Sequence, residues 1–193
     1  MRVGVLALQG DFREHIAALV AIGVEAVPVK TAEEINSVSA LVLPGGESTT
    51  IAKLARIFGV FDLLKSKIAS GLPVYGSCAG LILLSNKILD GAKDQETFGG
   101  LDITARRNAF GRQVDSFEGE IDFKGIGKIN GVFIRAPWVE EVGPKVEVLA
   151  SVHDHPVAVR QGNLFATSFH PELTADLAVH RYFIENICKV AKR

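Results

Sequence analysis

Nearly uninterrupted apolar runs at residues 2–8, 25–30, 40–43 and 73–77 are separated by helical patterns at 12–22, 49–58 and 61–70. A strand that is apolar at almost every position has no face to offer to water, so it belongs in a sheet covered on both sides. Helices between such strands supply that cover and make the crossovers that parallel pairing needs. The spacing therefore predicts an α/β fold of three layers, a mostly parallel central sheet flanked by helices. From about position 101 short strands dominate, at 101–106, 119–123, 131–135, 146–152, 157–160 and 163–169, before a closing helix. This half is expected to extend the sheet and add antiparallel hairpins, with Gln161-Gly162-Asn163 as one hairpin turn. At 193 residues the chain suits a single domain over 1–193 that buries roughly 70% of its unfolded surface.

Several function classes fall away on composition. A formal charge of −1, from 21 basic and 22 acidic side chains, leaves no basic footprint for nucleic acid. No apolar stretch approaches the roughly 18 residues of a membrane span. The run Val3-Gly4-Val5-Leu6-Ala7-Leu8 is too short for a signal-peptide core, so a cytoplasmic location is expected. Two cysteines far apart do not make a disulfide framework.

One of them has a setting that suggests chemistry. Cys78 sits in Gly76-Ser77-Cys78-Ala79-Gly80, after the run Leu72-Pro73-Val74-Tyr75 and before Leu81-Ile82-Leu83-Leu84. A strand turning sharply into a helix, with glycines on both sides of a nucleophile-type residue, is a nucleophile elbow. The helix N-terminus beyond it favours thiolate over thiol. Taken alone, the pentapeptide fits a packed core thiol equally well. The partner a nucleophile needs stands in Ser168-Phe169-His170-Pro171-Glu172. In an extended segment residues i and i+2 project to one side, which would bring the His170 ring to the Glu172 carboxylate. A carboxylate on one ring nitrogen fixes the tautomer and leaves the other nitrogen to exchange a proton with sulfur. A third segment, Pro44-Gly45-Gly46-Glu47-Ser48-Thr49-Thr50, follows residues 40–43, with Ser48 placed to cap the next helix. It matches neither nucleotide-binding glycine pattern. The amides of Gly46 and Ala79 can instead form an oxyanion hole. Gln9, the Gly45-Gly46 turn and Cys78 all follow strand ends, where open parallel sheets bind ligands.

Together these segments resemble the class I, triad-type glutamine amidotransferases, whose fold is flavodoxin-like. The likeness narrows to the glutaminase subunits of pyridoxal 5′-phosphate synthase. It is carried by Leu8-Gln9-Gly10-Asp11, by 44–50, by Gly76-Ser77-Cys78-Ala79-Gly80-Leu81, by the block 107–117, by Val132-Phe133-Ile134-Arg135-Ala136-Pro137 and by 168–174. The blocks at 107–117 and 133–137 are the specific ones; the elbow and His-x-Glu fit many amidotransferases.

The resemblance implies a glutaminase with Cys78, His170 and Glu172 as catalytic triad, L-glutamine as substrate, and neither cofactor nor metal. It implies that Gly46, Glu47, Ser48, Arg107, Ile134 and Arg135 bind glutamine. It also implies a hetero-oligomer with a (β/α)₈-barrel synthase subunit that takes the ammonia, a glutaminase idle until docked, and Gln9 near that interface. Further readings share the elbow: the glutaminase of another amidotransferase, such as that feeding imidazole glycerol phosphate synthesis, a cysteine peptidase or redox protein, and an inactive regulatory subunit. The other histidines read as structural. His153 and His155 flank a polar turn before Pro156, and His15 reads as an exposed or half-buried helix residue. His180 and Cys188 share the core stripe of the last helix with Leu177, Ile184, Ile187 and Ala191.

Overall fold

The computed structural model describes residues 1–110 and 116–189. The middle of the 107–117 block and Ala191 lie outside the described residues. A seven-stranded sheet forms the centre. Its strands are β1 (Arg2–Leu6), β2 (Glu25–Val29), β3 (Ala40–Leu43), β4 (Val74–Ser77), β10 (Glu147–Val152), β11 (His155–Gln161) and β12 (Leu164–Thr167). They run in the order β10-β11-β12-β4-β3-β1-β2. The five strands from β12 to β2 are parallel, and β11 and β10 extend the sheet antiparallel. The parallel part has the 2-1-3-4-5 order of flavodoxin-like folds, with the switch point between β1 and β3.

Alternation along each strand divides its side chains between two cores. On β3, Leu41 and Leu43 pack with Ile51 and Ala55 of α3 (Ser48–Ile57), Leu64 of α4 (Phe61–Ala69) and Leu81 of α5 (Ala79–Leu84). Ala40 and Val42 face the other way, into a core holding Leu19 of α1 (Phe12–Ala21) and Val179 of α6 (Ala178–Tyr182). All four residues of β3 are fully buried, each Leu or Val contributing about 1.5–3 kcal/mol relative to exposure. This is the two-faced burial that the apolar runs predict.

The C-terminal half departs from expectation in one respect. Residues 101–106 do not join the central sheet; β6 (Leu101–Arg106) pairs with β5 (Ser85–Leu89) and β9 (Trp138–Val142) in a separate three-stranded sheet. A two-stranded hairpin, β7 (Ser116–Phe123) and β8 (Gly127–Ile134), packs Ile121, Phe123 and Phe133 into the α1 and α6 side of the core. The expected turn at 161–163 is present: Gln161 pairs with Leu164 across Gly162, which has φ 57°. His153 and Asp154 form the β10–β11 turn, at φ 49° and 64°. Positive φ at both central positions is the tight-hairpin geometry, so these residues serve the turn. Among the described residues no helix is long and apolar enough to cross a membrane.

Candidate active site

The register between β12 and β4 positions the site. Thr167 lies opposite Ser77 on parallel strands, so the chain leaves both strands at the same sheet edge. Cys78 follows one and His170 the other. The Cys78 N–H donates to the Thr167 carbonyl at 2.8 Å, which locks the two exits together.

At the exit of β4 the backbone turns within a single residue. Cys78 has φ 48° and ψ −97°, and α5 begins at the next position. Such a conformation costs a non-glycine residue on the order of 1–3 kcal/mol. The flanking glycines make it possible: a Cβ on Gly76 would come within 2.5 Å of the Gly80 backbone, and one on Gly80 would strike the Leu43 carbonyl. Only glycine lets strand, turn and helix approach this closely.

His170 and Glu172 meet, but not by strand alternation. The strand ends at Thr167, and Pro171–Leu173 form a 3-10 turn with Pro171 in its first position. That turn brings Glu172 Oε1 to 2.7 Å from His170 Nδ1. The His170 N–H is anchored on the Val132 carbonyl at 2.8 Å. Glu172 is wholly buried as a side chain, and Ser77 Oγ donates to it, 3.3 Å from Oε1 and 3.2 Å from Oε2. Burial works against the imidazolium form of His170, but hydrogen bonds and charge from Cys78 and Glu172 outweigh it and push the ring up to about 10. Burial would likewise raise the Glu172 carboxyl; His15 and His170 hold it well below the usual carboxylate range.

Cys78 and His170 open into one cavity of about 440 Å³, shared with Gln9, Gly46, Glu47, Ser48, Ala79, Arg107, Ile134 and Arg135. Every site residue named from sequence is in it except Glu172, which stands behind His170. The glycine loop is held by the segment after β1: the Glu47 N–H donates to Gln9 Oε1 at 2.8 Å, and the Asp11 N–H to the Gly45 carbonyl at 3.0 Å. Gln9 is therefore a brace of this loop. Gly46 has φ 149°, and a Cβ there would meet Gln9 Oε1 at 2.5 Å.

Ser48 does not cap α3. Glu47 is the cap, its two oxygens accepting from the Thr49 and Thr50 N–H groups at 3.1 and 2.8 Å. A carboxylate satisfies two orphan donors where a hydroxyl satisfies one, and it favours the positive helix end. Ser48 is the first helical residue, buried, and accepts from Gln95 Nε2 at 2.7 Å. Arg107 pairs with Glu47 at 3.0 Å and donates to Gln95 Oε1 at 2.8 Å. Arg135, at φ 42°, lies at the cavity wall beside the half-exposed Ile134; among the described residues no carboxylate pairs with it.

Sequence reasoning missed four contributors. Gln95 lies between motifs. Asp11 Oδ2 stands 3.7 Å from His170 Nδ1, and Ser77 holds Glu172. His15 is not exposed or half-buried: it is fully buried, its Nε2 3.5 Å from Glu172 Oε2. Its place on the stripe of Phe12 and Leu19, at helical spacing, was the available signal. Asp11, His170 and Glu172 bring ligand-type atoms within 4.8 Å of one another, as a metal would need; the His170–Glu172 hydrogen bond already accounts for that grouping.

Comparison with known proteins places this geometry among relatives. The profile of the SNO glutamine amidotransferase family matches residues 5–189. A protein of Mycobacteroides abscessus, pyridoxal 5′-phosphate synthase subunit PdxT, is 59% identical over 186 residues, covering 96% of each chain. Its counterpart from Acidothermus cellulolyticus, of the same name, is 57% identical over 198 residues, covering 99% of this chain and 96% of its own. A crystal structure of a glutamine amidotransferase superposes with a TM-score of 0.91 at 51% identity, over 97% of this chain and 99% of that one.

Proposed function

The chain belongs to the SNO glutamine amidotransferase family, and we propose that it hydrolyses L-glutamine to L-glutamate and ammonia through a glutamyl thioester on Cys78. It is the glutaminase subunit of pyridoxal 5′-phosphate synthase, supplying ammonia for vitamin B6 synthesis. The carrying observation is the shared exit of β4 and β12, which delivers a strained cysteine and a carboxylate-bound histidine into one cavity.

A carboxamide is a poor electrophile, so the site has to supply a thiolate, an oxyanion stabiliser and a proton. Cys78 Sγ attacks the side-chain amide carbon of glutamine. The amides of Ala79 and Gly46 hold the developing oxyanion. Collapse of the tetrahedral adduct breaks the C–N bond, and His170, held as imidazolium at neutral pH, gives its proton to the leaving ammonia. The neutral ring then takes a proton from water, whose oxygen attacks the thioester; glutamate leaves and Cys78 is restored. Glu172 keeps His170 Nδ1 engaged, so that Nε2 is the nitrogen exchanging protons with the sulfur and the leaving group.

Arg135 suits the α-carboxylate of glutamine, because a guanidinium meets a carboxylate bidentately. Glu47 and Ser48, with Ile134 opposite, line the remainder of the pocket. Arg107, already committed to Glu47 and Gln95, shapes the pocket wall. The partner is a synthase subunit built as a (β/α)₈ barrel, and docking near Gln9 turns the Gly46 peptide into its donating position. The cytoplasm, where thiols stay reduced, suits the two free cysteines.

Ammonia release from L-glutamine, measured with and without the synthase subunit, tests this reading. The account expects release only in the complex and its loss, by about 10⁴-fold or more, in Cys78→Ala. Equal rates with and without the subunit would refute partner gating; an active Cys78→Ala would refute the thioester.

A further inference from the structure

Two buried imidazoles stand behind the triad. His15 on α1 and His180 on α6 are both 0% exposed, with His15 Nδ1 and His180 Nε2 3.0 Å apart. His15 Nε2 in turn stands 3.5 Å from Glu172 Oε2, in ion-pair range but longer than an ordinary hydrogen bond. The far nitrogens are otherwise unserved: His15 Nε2 and His180 Nδ1 have no hydrogen-bond partner among the described residues. Tyr75, fully buried, packs edge-on against both rings, at 5.7 and 6.1 Å between centroids.

Electrostatics choose the tautomers. If His15 carried its proton on Nδ1, a bare Nε2 lone pair would face the Glu172 carboxylate, and His180 would leave an N–H on Nδ1 buried without an acceptor. With the proton on His15 Nε2 both conflicts vanish: His15 donates toward the carboxylate, and His180 Nε2–H donates to His15 Nδ1. Of the two nitrogens without a hydrogen bond, His15 Nε2 then points its N–H at an anion, and His180 Nδ1 is a bare lone pair, cheaper to bury than an unpaired donor. His180 fits this role because burial pushes its ring down to about 3, so that it stays neutral. Glu172 thereby has each oxygen faced by a different imidazole, His170 on Oε1 and His15 on Oε2, with Ser77 touching both.

We infer that His15 is a positioning residue for the glutaminase reaction, fixing and charging Glu172 from behind, and that His180 holds His15 in the tautomer this requires. The inference rests on the proposed roles of Cys78 and His170. Its action is indirect: without His15, Oε2 keeps only the 3.2 Å contact of the Ser77 hydroxyl, whose single proton is shared with Oε1, so the carboxylate is freer to rotate away from His170 and protonates at higher pH. The titratable groups facing Glu172 are His170 beside it, Asp11 and His15 from the α1 side, Tyr75 from β4 and His180 from α6. Of these, His15 supplies the donor that remains after His170 is accounted for.

The test compares His15→Leu, His15→Gln and His180→Leu in the full chain. Glutamine places an amide N–H where the His15 Nε2–H stood; leucine fills similar space without a donor. The rate of Cys78 alkylation by iodoacetamide is followed against pH in the isolated chain, and kcat and KM for glutamine in the complex with the synthase subunit. In His15→Leu the upper transition of alkylation, where the His170 imidazolium is lost, should move down by about half a pH unit or more, because His170 loses part of the counter-ion that raises it. Its kcat should fall about tenfold or more with KM within about twofold, and His15→Gln should recover most of both. His180→Leu should move the same transition in the same direction by less. A folded His15→Leu with the original profile and kcat would overturn the inference, as would a His15→Gln as impaired as His15→Leu. Should His15→Leu not fold, an unchanged profile and kcat in His180→Leu would overturn it equally. Absence of labelling at Cys78 in the unsubstituted chain would instead overturn the nucleophile assignment, and this inference with it.

Discussion

At position 46 the backbone has φ 149°, and the space beside it is taken by the Gln9 carboxamide. Alanine there is strained by its backbone and by the 2.5 Å approach to Gln9 Oε1, so the loop has to shift. Gly46→Ala is expected to lose on the order of 10²–10³ in kcat, the cost of one oxyanion donor, with iodoacetamide labelling of Cys78 retained. A loss below about threefold would remove Gly46 from the oxyanion hole. His180 makes a second prediction, on stability. Its folded pKa of about 3 lies below the ordinary 6.5, so the unfolded chain takes up a proton first as pH falls. Stability is therefore lost as pH drops from about 6.5 toward 3, by at most about 1.4 kcal/mol per pH unit from this group. His180→Leu should flatten that slope in urea titrations between about pH 7 and 4; an unchanged slope would show that His180 is not buried neutral. At this scale the residues of the proposed triad were legible because Cys78, His170 and Glu172 each sit in a motif with its own chemistry. His15 was not, because one imidazole on a helix reads as polar until the partner helix is known. Gln95 was not, because nothing in its own segment reveals that it bridges Ser48 and Arg107.

The elbow is a device of three elements, β4, α5 and β3. Its tolerance is set by Gly80, whose added Cβ would meet the Leu43 carbonyl of the neighbouring strand. Backbone cannot swing aside as a side chain can, so Gly80→Ala should cost about 1–3 kcal/mol in urea unfolding, the range for overpacking a core. A neutral effect would mean that the strand–helix contact is looser than described. The β10–β11 turn offers the opposite change. His153 and Asp154 both hold positive φ, which disfavours them by about 1–2 kcal/mol each relative to glycine. His153→Asn with Asp154→Gly should stabilise the chain by about 0.5–1 kcal/mol and leave glutaminase activity unchanged; a lower unfolding midpoint would contradict the turn geometry. Elements were legible where composition is extreme. The apolar β3 falls at 40–43 as read, whereas β9, with two glutamates after Pro137, and β5, with Asn86 and Lys87, carry too little apolar signal to separate from loop. The five-residue α2 (Ala32–Asn36) has a capping box of Thr31 and Glu34 that sequence displays, but it is too short for a periodicity to form.

Across the whole molecule, function depends on strand order. Placing β12 beside β4 puts the last strand of the chain next to the elbow strand, and the Thr167–Ser77 register sets both exits level. A slip of one residue in that register would turn the His170 segment to the other face of the sheet. This pairing is a non-local contact that no single segment encodes, which is why the sequence pointed to the residues of the proposed triad but not to the reason they meet. The two braces on the site, Gln9 on the glycine loop and the His15–His180 pair on Glu172, likewise come from elements distant in sequence. The most direct test of the central claim is covalent: the complex with the synthase subunit is incubated with 6-diazo-5-oxo-L-norleucine, a glutamine-analogue alkylator, and the adduct is mapped by mass spectrometry. One adduct per chain on Cys78, suppressed by L-glutamine and strongly slowed in His170→Asn, is the predicted result. Labelling on Cys188, or labelling of Cys78 indifferent to glutamine and to His170, would contradict the account.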